Sequence, residues 1–198
     1  MMLGRAIGIS AGFFAAVTFY QGCITPDVVD TDDPIMLDTV FDTGAVTEDV
    51  PDEYVPSEDY GRHCDILPPE KFSEYIDRAA FTYDVNPRVI ALTVYRESRC
   101  KQDALGGSGE IGLGQINPRV WTKVLREQGL IEEAADLYDP LTNLRATAYV
   151  LSECLRYAKG NHQDALRRYN GSGIQAERYA AAQAAKYYML WGETLWLR

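Results

Sequence analysis

A glutamate stands at the end of an apolar segment with helical spacing. Ile90, Val94 and Glu97 fall on one helical face, because offsets of four and seven residues nearly complete whole turns. The glycine-rich loop 106–109 follows soon after. Burial disfavours the ionised form of a carboxyl group and raises its pKa, which a general acid working near neutral pH requires. The pattern therefore predicts that Glu97 is an acid/base catalyst.

The elements that position Glu97 are predicted to be helices. Four segments begin with a side chain that can cap a helix or with a proline, and then carry apolar residues at three- and four-residue steps. These starts are Pro68-Pro69, Asn86-Pro87, Asn117-Pro118 and Asp139-Pro140; Asn161 is predicted to cap a shorter helix, and an Ala-rich helix spans about 174–189. No segment alternates with period two for long. The sequence therefore predicts a mostly α domain with little or no sheet.

Charge divides the chain of 198 residues into parts. Residues 24–60 hold twelve acidic residues and no basic ones, whereas residues 61–198 hold 17 acidic and 18 basic residues. The first part has no apolar period and is interpreted as an acidic, disordered linker that serves as a tether; a docking role is the alternative. No basic stripe is present, so nucleic acid is not an expected partner. The predicted boundaries are 1–23, 24–63 and 64–198.

The N-terminus has the pattern of an export signal. Arg5 precedes an uncharged apolar run over 6–20, which is short for a membrane span. The run ends in Tyr20-Gln21-Gly22-Cys23, which resembles a bacterial lipobox, although a lipobox usually has Leu where Tyr20 stands. Cys23 is therefore predicted to carry a lipid anchor, and Ile24 after it favours an outer-membrane lipoprotein facing the periplasm. A plain signal peptide and an uncleaved anchor are the alternatives.

Cysteine usage fits an exported protein. The cysteines are Cys23, Cys64, Cys100 and Cys154. If Cys23 carries lipid, two of the other three are expected to pair, and the sequence does not choose among the pairs. Cys100 and Cys154 as buried free thiols are the alternative. No cysteine and histidine spacing is typical of a metal site, so no metal and no cofactor are predicted.

Three strings resemble the soluble lytic transglycosylase family of the lysozyme-like superfamily. They are Glu97-Ser98, the string from Gly109 to Gly112-Leu113-Gly114-Gln115-Ile116, and Arg168-Tyr169-Asn170-Gly171. The family carries Glu-Ser, Gly-Leu-Met-Gln and Ala-Tyr-Asn in this order. Asp139-Pro140 with Asn143, and the segment 176–179, resemble further family segments. The resemblance covers roughly residues 66–190.

The resemblance implies a single lysozyme-like helical domain that cleaves the glycan strands of peptidoglycan. Glu97 would be the lone acid/base, the C6 hydroxyl of N-acetylmuramic acid would attack the anomeric carbon, and a 1,6-anhydro product would form. Tyr169 would donate a hydrogen bond that orients Glu97. The residues expected to line the cleft and bind substrate are Ser98, Ser108, Gln115, Asn170 and Tyr179. Each has an ordinary structural alternative, such as a helix end, a loop serine, a surface amide, a turn or the core.

The sequence also departs from the family pattern. Gly114 replaces the usual Met, which predicts a wider or looser cleft, and Gly106 replaces a Ser whose part Ser108 could take. Glu110 stands where Ala is common. We expect Glu110 to be a solvated loop charge, near Arg168 or another base; facing the cleft, it would be a second carboxylate able to hold a water.

Three functions therefore compete on the sequence alone. The first is a membrane-anchored lytic transglycosylase. The second is a goose-type hydrolase of the same bond, and the third is a peptidoglycan-binding module without catalysis. Cleavage within or at the ends of strands, and any protein partner, stay open at this point.

Overall fold

The described part of the chain is built of helices. The structure, a computed structural model, describes residues 69–195. Its helices are α1 (Pro69–Tyr83), α2 (Pro87–Ser98), α3 (Pro118–Glu127), α4 (Pro140–Tyr157), α5 (His162–Asn170) and α6 (Gly173–Trp191), with a short 3-10 helix at Ala134–Tyr138. In 69–195 the β pairing is confined to two isolated bridges, Leu105 with Ile111 and Ile111 with Ile116. The predicted mostly helical fold is confirmed.

Four helices begin at a capping side chain of the predicted type. The caps are Asn86, Asn117, Asp139 and Asn161, and each side-chain oxygen accepts a hydrogen bond of 2.8–3.0 Å from a backbone N–H two or three residues later. Proline follows the first three caps, at a position where its missing N–H has no helical partner to lose. The 3-10 helix was not predicted, because five residues are too few to show a helical period.

Helix α4 lies at the centre of the domain. It contacts α1, α2, α5 and the 3-10 helix, and Leu144 and Leu151 on it are fully buried. Ile90 and Val94 of α2 are also fully buried. Glu97 follows them along the same face, so it stands where the core of the domain meets a cavity. The predicted helical face is therefore the one that positions the glutamate.

Both cysteines of the described part are oxidised. Cys100 and Cys154 are buried, and each is disulfide-bonded. Their interpretation as buried free thiols is wrong. Cys23 and Cys64 lie outside the described residues.

The predicted N-terminal segments also lie outside the described residues. This holds for the signal and lipidation segment 1–23 and for the linker 24–63, so the lipid anchor at Cys23 stays a prediction. Over residues 69–195, none of the helices combines the length and the apolar character that crossing a membrane requires.

The loop between α2 and α3 is held against α4 by one buried amide. Asn143 is fully buried, and its Nδ2 donates to the carbonyl oxygens of Ile111 at 3.0 Å and Leu137 at 2.7 Å. Its Oδ1 accepts the Gly114 N–H at 2.8 Å. Gly112 packs so tightly against this amide, with φ of +73°, that a Cβ there would overlap Asn143 Nδ2. The amide thus fixes the loop at Ile111 and Gly114 and ties it to the 3-10 helix at Leu137.

We predict that Asn143→Ala destabilises the domain by about 3 kcal/mol or more, because it leaves the Gly114 N–H and the Leu137 carbonyl buried without their partners. Urea unfolding followed by circular dichroism measures this loss. Thr142→Ala is the matched control, since Thr142 uses its backbone N–H to bond Asp139 and the substitution keeps that group. Equal midpoints for the two variants would contradict the prediction.

Candidate active site

Glu97 lines a cavity between the end of α2, the loop 106–115 and helices α5 and α6. The cavity has a volume of about 190 Å³. Its lining residues are Arg96, Glu97, Gly106, Gly107, Glu110, Gln115, Tyr169, Asn170 and Tyr179. Residues far apart in the chain therefore meet at the glutamate that the sequence singled out.

Burial sets the protonation of Glu97. It raises the pKa of this carboxyl group from an ordinary 4.5 to about 7. Three smaller influences act as well: the Tyr179 hydroxyl and the Arg96 charge lower the pKa, and the Glu110 charge raises it. Glu97 Oε1 is buried and has no well-formed hydrogen bond with any described residue. Near neutral pH a large fraction of Glu97 therefore holds a proton that it can give to a bound molecule.

Tyr179 places a hydroxyl group near Glu97 that lowers the pKa of the carboxyl group. Its side chain is buried, and burial together with the nearby Glu97 raises its pKa well above the ordinary value. The hydroxyl favours the charged form of Glu97, yet its geometry falls short of a well-formed hydrogen bond with any described group. Tyr179 therefore belongs to the cavity and retains bonding capacity there.

Tyr169 lines the cavity but does not orient Glu97. Its hydroxyl donates to the carbonyl oxygen of Gly114 at 2.7 Å, and a hydroxyl has one proton to donate. The predicted hydrogen bond from Tyr169 to Glu97 is therefore wrong in this structure. The two side chains remain close enough for the Glu97 charge to raise the pKa of Tyr169, after the larger effect of burial. Tyr169 instead fixes the loop at Gly114.

Gly114 does not widen the cavity. A Cβ at this position would overlap Thr147 Oγ1 of α4 and lie 2.9 Å from the Tyr169 hydroxyl. The direction that a side chain would take from Gly114 therefore leads into packed protein. The expectation of a wider or looser cleft is wrong, because α4 and α5 occupy the space that a larger side chain would need.

Glu110 is buried in the cavity wall. It is 3% exposed, and its Oε2 accepts the Ser108 N–H at 3.0 Å. Asn117 Nδ2 lies 3.5 Å from its Oε1, at the limit of a hydrogen bond. Arg168, which we expected near Glu110, pairs with Asp164 at 2.8 Å. The expectation of a solvated loop charge is wrong, and a second carboxyl group lies in the cavity that holds Glu97.

Comparison with known families identifies the domain that contains this cavity. The model of the transglycosylase SLT domain matches residues 74–190, which is more than half of the chain. The chain belongs to this family.

A solved structure shares the fold. An inactive mutant of the lytic transglycosylase Slt from Pseudomonas aeruginosa superposes with a TM-score of 0.54 at 20% sequence identity. The match covers 62% of this chain and 25% of that one, so the chain corresponds to a quarter of the larger protein. The likeness shows that the SLT domain here shares its mostly helical fold with part of that protein.

Two serines predicted to bind substrate in the SLT domain do not line its cavity. Ser98 is buried at the end of α2, and its hydroxyl donates to the Val94 carbonyl at 3.1 Å. Ser108 is half-buried and contributes its backbone N–H to Glu110. Hydrogen bonds of a serine hydroxyl to the preceding helical turn are a common local alternative to a binding role. Ser98 is thus part of the helix end, and Ser108 supports Glu110.

Two predicted amides do line the cavity of the SLT domain. Gln115 has a positive φ of +51°, and its Nε2 donates to the carbonyl oxygens of Gly112 at 2.9 Å and Ala104 at 3.2 Å. These bonds fix the orientation of the side chain. Asn170 is 7% exposed, and its Nδ2 has no partner among the described residues. A buried donor without a partner is available to a ligand.

Sequence reasoning missed Arg96 as a cavity residue. The available signal is its position: Arg96 directly precedes Glu97 in the last turn of α2. For metals, the described residues contain no group of three or more His, Cys, Asp or Glu side chains placed to bind an ion.

We predict that Glu97 makes folding less favourable as the pH rises. The carboxyl group titrates near 4.5 when unfolded and near 7 when folded, so the folded state binds the proton more tightly. Stability from this group is complete below about pH 4.5 and is lost as the pH rises through 7, by up to about 3 kcal/mol. Glu97→Gln lacks the titrating group. Denaturant unfolding of both proteins over this pH range should show that the free energy of unfolding of wild type falls relative to that of the variant as the pH rises. Parallel pH dependences would refute the assignment.

Proposed function

We propose that the protein is a peptidoglycan lytic transglycosylase. It cleaves the β-1,4 bond between N-acetylmuramic acid and N-acetylglucosamine and leaves a 1,6-anhydro product. The observation that carries this proposal is the Glu97 carboxyl group, whose pKa burial raises to about 7 inside a cavity of an SLT domain, so that a large fraction holds a proton near neutral pH. A protonated carboxyl group is what departure of a sugar oxygen requires.

Glu97 serves as acid and then as base. It gives its proton to the glycosidic oxygen as the bond from that oxygen to the anomeric carbon breaks. The resulting carboxylate then removes the proton of the C6 hydroxyl while O6 bonds to the anomeric carbon. The ring closes within one sugar, so proximity replaces a second carboxylate and an ordered water. The proton taken from the C6 hydroxyl replaces the one given to the glycosidic oxygen, so Glu97 ends in its acid form.

The unpaired polar atoms of the cavity support a polar ligand. Glu97 Oε1, Tyr179 Oη and Asn170 Nδ2 are all buried without a well-formed hydrogen bond inside the described part, and all three residues line the same cavity. An unpaired buried polar group costs about 1–3 kcal/mol, so three in one place indicate partners supplied by a ligand. The hydroxyl, amide and glycosidic oxygen groups of an N-acetylated glycan provide such partners.

Hydrolysis of the same bond is a second candidate, and Glu110 is the observation that favours it. A hydrolase that inverts needs a second carboxylate to hold a water. Glu110 is buried in the cavity that contains Glu97. However, its Oε2 already accepts the Ser108 N–H, and its Oε1 lies near Asn117 Nδ2. These contacts give Glu110 a role in holding the loop, which favours transglycosylation.

Product analysis tests the main proposal. We expect the full-length protein to release 1,6-anhydro muropeptides from purified murein, identified by mass spectrometry, and Glu97→Gln to lower the rate by about 10²–10⁴-fold through loss of the general acid. Glu127→Gln is the matched control, because Glu127 is an exposed glutamate on α3, away from the cavity. Wild-type products that end only in reducing muramic acid would establish the hydrolase. Unchanged lysis by Glu97→Gln would remove Glu97 from the mechanism.

A second variant separates the two roles of Glu110. We predict that Glu110→Gln still yields anhydro products. The Glu110 charge raises the pKa of Glu97, so its removal lowers that pKa and moves the alkaline limb of the profile of kcat/KM against pH to lower pH. The measurement is this profile together with the product ratio. Hydrolysis products that are present in wild type and vanish in Glu110→Gln would instead show that Glu110 holds a water.

A further inference from the structure

Arg96 is the one basic residue among the described residues that line the cavity. It is exposed, and its guanidinium carbon lies 5.9 Å from the centroid of the Tyr179 ring. Five other arginines of the described part form ion pairs with acidic side chains: Arg78, Arg88, Arg156, Arg167 and Arg168. Arg96 forms no such pair within 4 Å in the same residues. Its donors are therefore free to face the cavity opening.

We propose that Arg96 binds a carboxylate of the glycan substrate and so selects strands that carry acidic substituents. This inference rests on the proposed function. A guanidinium presents five donors in a planar fork that matches a carboxylate, and contact with an aromatic face helps to hold it in place. The Tyr179 ring supplies that face at 5.9 Å, near the limit of a cation–π contact, and the Tyr179 hydroxyl lowers the pKa of Glu97. The bound carboxylate would thus lie at the rim, next to the sugar that reacts.

The substrate offers this chemistry in two places. Each N-acetylmuramic acid carries a lactyl group, which is a free carboxylate in strands without peptides. In strands with peptides the lactyl group is an amide, and the peptide supplies carboxylates of its own. Oligomers of N-acetylglucosamine carry the same ring amides and no carboxylate. The three ligands therefore separate recognition of the sugar from recognition of the charge.

The charge of Arg96 does not by itself assist the acid step of the reaction. Its positive charge lowers the pKa of Glu97, which opposes the acid form that the reaction requires, and burial outweighs this effect. A substrate carboxylate on Arg96 would offset the positive charge beside Glu97. Binding of the acidic strand would then favour the protonated form of Glu97 in the complex. A cation in this place therefore suits a ligand that brings a negative charge.

The test measures binding in the full-length Glu97→Gln protein, which removes both cleavage and the titration of Glu97. Dissociation constants are determined for peptide-free strands, peptide-bearing strands and N-acetylglucosamine oligomers. We expect the additional change Arg96→Gln to weaken binding of one or both acidic strands by about 3- to 10-fold, and more at low salt, as an ion pair at a partly exposed site would. Binding of the neutral oligomer should stay unchanged. Loss with peptide-free strands alone identifies the lactyl group, and loss with peptide-bearing strands alone identifies the peptide.

Arg99→Gln provides the matched control. Arg99 is an exposed arginine three residues away that stacks on Tyr95 at 4.7 Å and is not among the cavity-lining residues, so we expect no change. Equal weakening of all three ligands by Arg96→Gln, or no weakening of the acidic strands, would overturn the role of Arg96 and leave the proposed function standing. Failure of the Glu97→Gln protein to bind any of the three would overturn both together.

Discussion

The site depends on the buried amide of Asn143. The loop that follows α2 has no strand or helix of its own to hold it, and its backbone polar groups need partners in the interior. Several of these groups bond within the loop, and Asn143 of the central helix α4 bonds two more, the Ile111 carbonyl and the Gly114 N–H. Because Gly114 is fixed in this way, its carbonyl is in place to receive the Tyr169 hydroxyl. Asn143 and Tyr169 thus tie the loop to α4 and α5, and this loop forms one wall of the cavity that holds Glu97.

The cavity wall in turn raises the pKa of Glu97. A carboxyl group at the exposed end of a helix would titrate near its ordinary pKa, and it would be ionised at neutral pH. The loop and α6 cover Glu97 closely enough that desolvation dominates over the Tyr179 hydroxyl and the Arg96 charge. The domain therefore gives up stability at neutral pH to keep a proton on this group. Such a loss is tolerable in a domain where four of the described helices begin at side-chain caps and the helices enclose a continuous core.

Sequence reasoning predicted the helices and the place of Glu97, because both follow from local rules. Caps such as Asn86 and Asn117, and the period that aligns Ile90 with Glu97, depend on residues a few positions apart. The partners of Tyr169 and Ser98 could not be predicted in the same way. Each hydroxyl can donate in several directions, and the choice is made by a carbonyl that tertiary packing or the helix itself brings near. Glu110 was misjudged for the same reason, since its burial comes from the folding of a loop that no period describes.

Two glycines that depart from the family pattern make room for larger polar side chains. Gly106 leaves room for the Glu110 carboxylate, because a Cβ at 106 would overlap Glu110 Oε2 and lie 2.7 Å from Gln115 Oε1. Gly114 likewise leaves room for Thr147, whose hydroxyl bonds the Asn143 carbonyl oxygen at 2.8 Å. Each small residue is thus matched by a larger polar neighbour, and the wall stays filled. The loop wall beside Glu97 is therefore filled by protein, and the unpaired polar atoms of Glu97, Asn170 and Tyr179 face the cavity that the packing leaves open.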